Sequence, residues 1–440
     1  MGYSIEDIFL RGLATSRELQ AYTGLSQPAV SRKLRAMGDK IIKVQSGRTP
    51  RYALARNAFG GSDRQPLAMV DAYGNTVLAA WIRPLVHGGF FVEAATGTPP
   101  VLLGIDQNGL FEGLPYFLQD LAPQGFIGRK IAEEIAKQNI AFPRDPRLWN
   151  ADHIGRYLIS NGDDLPGNFK FGEQTLLRLR RKPEAATEED YPKLADQVMK
   201  GYVPGSSAGG EQPKFTTYCT TRAAHVIVKF THQDANEVTD RWRDILITEY
   251  HATEAIHDKD FPASETRLLE MEGRLFLESQ RFDRSGEYGR MSMVSLKSID
   301  DEFVGIGSGW PAVMEALLQK NLVSWQHVYD ANCLFLFGQL INNTDMHLEN
   351  LSLAIEGGVF RLLPVYDMCS MGFAPLPGGN VPPYAFIPVM GTLNGISKET
   401  EQVVMAMAKD FWDRVARDER ISLGFKRFLQ SGNPIDRMQN

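Results

Sequence analysis

The sequence predicts an α+β chain made of a small basic helix-turn-helix head, a β-rich segment and a two-lobed body whose second lobe is mainly helical. Three observations carry that expectation. At 440 residues the chain is too long for one ordinary core, so two or three domains are expected. Its charge is uneven: residues 1–56 hold ten Lys/Arg against four Asp/Glu, a net of +6, which leaves −12 for the rest of a chain whose formal total is −6. Finally, the residues able to do chemistry between 205 and 367 follow one another in a distinctive order.

Composition narrows the class before any motif is considered. Hydrophobic residues make up 43% and charged residues 23%, which excludes wholesale disorder. No run approaches the roughly 18 consecutive apolar residues of a membrane helix. Met1 to Asp7 carries acidic residues where a secretion signal would carry lysine or arginine, so a cytoplasmic protein without a membrane partner is expected. Cys219, Cys333 and Cys369 are too few and too scattered for a disulfide framework or a zinc site, and buried free thiols are expected.

In the head, Thr15 and Glu18 form a capping-box start for a short helix, and Gly24 breaks it. Ser26 is expected to cap a second helix with Pro28 in its first turn and Val30 and Leu34 on its inner face. Ile41 to Val44 and Arg51 to Leu54 read as a hairpin with a basic tip at Arg48, the wing of a winged helix-turn-helix over residues 1–56. Gln27, Ser31, Arg32 and Arg35 would then face outward, with side chains suited to the base edges and phosphates of double-stranded DNA. Residues 57–66 are polar and Gly-containing, as in a linker. Residues 67–150 read as a small antiparallel sheet followed by helix, 151–283 as the first lobe of the body, and 284–440 as a helical second lobe.

The chemistry begins at residues 205–215, a glycine-rich loop in which Ser207, Gly209 and Gly210 would let backbone N–H groups approach phosphate oxygens. His225 to Phe230 is an apolar strand carrying Lys229, in the manner of the V-A-I-K strand of protein kinases. Glu249 lies twenty residues further on, in a helical stretch from Asp244 to His257, where it can pair with that lysine. A long apolar helix from Ser324 to Asn342, with Trp325 and Phe337 in a buried pillar, leads to Asp345 and Asn350. Their spacing equals that of the catalytic Asp and metal-binding Asn in H-R-D-x-x-x-x-N, and Asp367 follows at the end of another apolar run. Phosphoryl transfer to a hydroxyl needs a carboxylate to orient that hydroxyl and hard oxygen ligands for Mg²⁺; Asp345 fits the first need, Asn350 and Asp367 the second. A protein-kinase-like body is therefore expected.

These motifs resemble those of the HipA family of bacterial toxin kinases. The family loop S-x-G-G-x-x-P-K is matched by Ser207 to Lys214, its R-F-D-R segment by Arg281 to Arg284, its N-x-D-x-H-x-K-N loop by Asn343 to Asn350, and its Y-D pair by Tyr366-Asp367. The resemblance implies a serine/threonine protein kinase using ATP and Mg²⁺. It further implies Lys229 on the phosphates, backbone groups of Gln280 and Phe282 on the adenine, His347 near the γ-phosphate, and Ser207 as an autophosphorylated serine. Family targets include aminoacyl-tRNA synthetases, and family toxins usually depend on a separate DNA-binding antitoxin. Two departures stand out: Glu349 replaces the family lysine, and this chain carries a head of its own. The rival readings are a DNA-binding regulator whose kinase-like domain senses nucleotide without transferring phosphate, and a small-molecule kinase.

Overall fold

The computed structural model describes residues 4–45, 49–200, 212–376, 378–388 and 395–438. Helices Ile5–Phe9, Ser16–Thr23 and Gln27–Ala36 bury Phe9, Leu19, Val30 and Leu34 in a small core of their own. Thr15 and Glu18 exchange both capping bonds, and Gly24 ends the helix at φ 70°, a backbone setting open to glycine. Ser26 departs from expectation: it precedes Gln27–Ala36 but its side chain makes no capping bond. Pro28 occupies the second helical position and has no N–H to offer that hydroxyl. Ile41–Val44 and Arg51–Leu54 pair antiparallel, and Ala14–Thr15 adds a third strand beside Arg51–Leu54.

The next unit is a five-stranded antiparallel sheet in the order Leu110–Phe111, Phe90–Ala94, Thr76–Pro84, Gln65–Val70, Phe169–Phe171. Phe169–Phe171, expected with the first lobe of the body, instead closes this sheet by pairing with Gln65–Val70. Residues 57–66, read as a linker, are anchored at both ends: Ala58, Phe59, Gln65 and Pro66 are buried, and the Phe59 ring stacks on Phe90 at 6.0 Å and meets Phe171 edge-on at 5.5 Å. Gly155 lies beneath that ring, where a Cβ would come within 2.1 Å of it. The head is tied to this sheet by Val86 N–H to Leu54 O and by Arg56, which holds Asp152. Asp152 lies in the first turn of helix Ala151–Asn161.

The body opens with a second five-stranded sheet, in the order Thr266–Met271, Arg274–Gln280, Ala224–Phe230, Lys214–Cys219, Ala185–Ala186, parallel only at its last pair. Helix Glu237–His257 packs beneath it through Trp242, Ile245, Leu246 and Ala252. It begins seven residues before the expected start because the Asn236 side chain caps it through Thr239 N–H. The second lobe is built on helices Trp310–Gln319, Trp325–Leu340 and Lys398–Arg417. Trp325, expected in the buried pillar, is 65% exposed; it sits in the first turn of its helix and stacks on Tyr329 instead. The three cysteines are free and buried, and no described helix is long and apolar enough to cross a membrane.

Candidate active site

Lys229 is placed by sheet register. Ala224–Phe230 is flanked by Arg274–Gln280 and Lys214–Cys219, so Val226, Val228 and Phe230 bury on one face of the sheet and Lys229 leaves on the other. There its Nζ donates to both oxygens of Glu249 at 2.6 Å and to Asp367 Oδ1 at 2.7 Å. Burial would lower the lysine, but Asp367 and Glu249 hold its pKa above the usual lysine range. Burial likewise pushes the Glu249 carboxyl up against the pull of Lys229. For Asp367 the opposing charges of Lys229 and Lys214 overcome burial and bring the carboxyl down to about 2.

Asp345 is placed by the end of helix Trp325–Leu340. Asn342 turns the chain at φ 63°, and buried Asn343 accepts the Asp345 N–H on Oδ1 at 3.0 Å. Asn350 closes the loop, its Nδ2 donating to Asp345 O at 2.7 Å. His347 Nε2 lies 3.3 Å from Asp345 Oδ1 and its Nδ1 3.8 Å from Glu349 Oε2, while His347 O accepts from the Trp310 indole. Asp367 holds a left-handed φ of 55°, uncommon for a residue other than glycine.

One cleft of about 1620 Å³ is lined by Lys229, Glu249, Asp345, His347, Asn350 and Asp367 together. Its other walls include Lys214 and, from the β-rich segment, Gln124, Phe126 and Arg129. A cation fixed by two carboxylates beside carboxylate and amide oxygens suits a polyphosphate and a hard divalent cation. Asp367 has one oxygen on Lys229 and a second oxygen for a metal, and the Asn350 amide, held through Nδ2, keeps Oδ1 as a hard ligand; this donor set fits Mg²⁺.

Other expected site residues do not line this cleft or fall outside the described residues. Gln280 N–H is committed to Glu265 O, the Phe282 ring packs 5.8 Å from that of Tyr366, and neither residue lines the cleft. Ser207, Gly209, Gly210 and Arg48 lie outside the described residues. Gln27, Arg32 and Arg35 are exposed on the outer face of Gln27–Ala36, with Ser31 accepting from Arg35.

Two partners lie beyond what spacing shows: Asn343, which holds the Asp345 loop, and Asp164, which carries no sequence signal. Asp164 accepts from Arg281 at 2.8 Å and from Arg284 at 2.9 Å. Asp283 completes the group by binding Arg281, Arg284 and the Gly167 N–H. The two arginines hold the Asp283 carboxyl well below its ordinary range despite complete burial. Beside them, Lys170 donates to Gly162 O and Asp163 O at 2.7 Å, and burial pushes its pKa down to about 6.

Segregated sheets and helices around one cleft make this a mixed α/β chain. Residues 206–424 match the HipA-like C-terminal domain family, and residues 61–180 match the middle domain of YjjJ-like toxins. Toxin YjjJ of Escherichia coli (strain K12) is 36% identical over 436 residues, covering 97% of this chain and 95% of its own, so the chain belongs to the HipA-like toxin family. Among solved structures, the Shewanella oneidensis MR-1 toxin–antitoxin complex of HipA, HipB and operator DNA contains a chain with the same fold. It matches at TM-score 0.59 and 15% identity, over 85% of this chain and 96% of that one. The Helicobacter pylori proinflammatory kinase CtkA aligns at TM-score 0.35 and 12% identity, over 52% and 87% of the two chains.

Proposed function

We propose that this chain is an ATP- and Mg²⁺-dependent serine/threonine protein kinase of the HipA toxin type, joined to a winged helix-turn-helix head that binds double-stranded DNA. The reading rests on the convergence of Lys229, Glu249 and Asp367 with Asp345 and Asn350 in one cleft. Lys229, kept charged and rigid by its carboxylates, holds the α- and β-phosphates. Asn350 and Asp367 would hold Mg²⁺, which when bound neutralises charge on the β- and γ-oxygens. Asp345 orients the acceptor hydroxyl and takes its proton as the new O–P bond forms and the γ-phosphorus parts from the bridging oxygen of departing ADP. His347, beside Asp345, steadies that carboxylate near the γ-phosphate. Ser207 is the autophosphorylated residue; a phosphoserine near −2 charge competes with nucleotide for the loop.

The acceptor is a protein of the cytoplasm, with an aminoacyl-tRNA synthetase as the family-implied candidate, and the head allows DNA to take part of an antitoxin's role. Incubation with radiolabelled ATP tests the reading. Wild type should label itself or extract proteins, and Asp345→Asn should lower labelling by roughly a hundredfold or more. Label passing only to metabolites would mark a small-molecule kinase. A second reading, a DNA-binding regulator that senses nucleotide, draws on Glu349, whose carboxylate stands near His347 where the resemblance expects a cation. Tight nucleotide binding without label in either protein would select it.

A further inference from the structure

Glu249, Asp345 and Asp367 come to the cleft from three separate elements, and one short stretch of chain sets their spacing. Downstream of Asp367, Ser370 N–H donates to Thr248 Oγ1 at 3.2 Å, on helix Glu237–His257 one residue before Glu249. Gly372 N–H donates to Asn342 O at 2.9 Å, at the head of the loop that carries Asp345. That crossing is close, since a Cβ on Gly372 would come within 2.4 Å of the Asn342 side chain. The stretch is held down from outside the cleft by Arg241, which stands about two turns before Glu249 on the same helix and does not line the cavity. Arg241 is buried; its Nη1 donates to Phe373 O at 2.9 Å and its Nη2 to Pro382 O at 2.7 Å, and its guanidinium lies 3.6 Å over the Tyr384 ring. Tyr384 is fixed in turn: it stacks on Phe425 at 4.7 Å and donates to Asp244, which also accepts Ser422 N–H at 2.8 Å. A planar fork that bonds two carbonyls and lies flat on a ring suits arginine, and the compact ammonium of lysine cannot do all three.

We propose that Arg241 is a positioning residue: by clamping residues 370–373 to the helix of Glu249, it holds Asp367 and Asp345 at the separation that one magnesium-bound triphosphate requires. The proposal rests on the kinase reading above and adds to it a residue outside the cleft. Full-length wild type, Arg241→Met and Arg241→Lys are compared by isothermal titration with ATP in EDTA and with Mg·ATP, and by the Mg²⁺ dependence of labelling. Arg241→Met should bind metal-free ATP within about twofold of wild type, because Lys229 keeps Glu249. Its Mg·ATP affinity should fall on the order of tenfold and its kcat about a hundredfold, the scale of a misplacement of about 1 Å. Arg241→Lys, which keeps the buried charge, should show the same pattern more weakly, and it carries the test if Arg241→Met does not fold. A loss shared equally by metal-free ATP and Mg·ATP, or a Mg²⁺ dependence and kcat equal to wild type in both variants, overturns the proposal while leaving the kinase reading intact. If wild type itself binds no ATP, the kinase reading falls, and the role of Arg241 falls with it for that separate reason.

Discussion

Asp367 combines a left-handed backbone, an ion pair to Lys229 and a carboxyl brought down to about 2. A non-glycine residue held at such a φ costs of order 1–3 kcal/mol, and it persists where the surroundings impose it. Asp367→Ala should abolish Mg·ATP-dependent transfer while circular dichroism stays native, and full activity in that protein would remove Asp367 from the metal site. The carboxyl remains ionised throughout the neutral range, so an acid limb in the activity profile between pH 5 and 7 belongs to another group. Its contribution to stability is complete above the unfolded aspartate value near 3.9 and disappears only as pH falls through about 2. The order and spacing of Lys229, Asp345, Asn350 and Asp367 were legible in the sequence, and the structure brings the four side chains to one cleft.

At the scale of elements, local signals were read well where chemistry is local. Thr15 with Glu18 begins a helix where a capping box should, and Gly24 ends it. Long-range pairing stayed hidden: Phe169–Phe171 looks the same in sequence whichever sheet receives it, and only Gln65–Val70 decides. The loop between helix Ala151–Asn161 and that strand gives a sharp test through Lys170. Its folded pKa near 6 lies below the ordinary 10.5, so between those values the unfolded chain binds a proton that the folded chain does not. Stability should therefore rise as pH climbs from about 6 toward 10, and Lys170→Met should flatten that rise in urea midpoints measured across the range. A slope equal to wild type would show that Lys170 stays charged in the fold.

Taken whole, the molecule joins a basic head to an acidic body, and the asymmetry was visible from charge alone. The exposed face of Gln27, Arg32 and Arg35 should bind duplex DNA with a log affinity that falls linearly with log salt. Arg32→Ala with Arg35→Ala should shallow that slope by about two if both arginines meet phosphates, while nucleotide affinity stays unchanged. A slope identical to wild type would remove both from the interface.

The clasp of Asp164 on Arg281 and Arg284 bears on how this architecture can be cut or shuffled. Residues 206–424 coincide with a recognisable family unit, yet two guanidiniums buried within it take a counter-charge from residue 164, outside it. A piece cut at residue 206 would keep Asp283 but lose Asp164, leaving two buried guanidiniums beside a single carboxylate. The sequence boundary of the unit is thus not its boundary of independence, and a viable exchange of C-terminal units between relatives must carry the 163–167 turn along with the piece it complements.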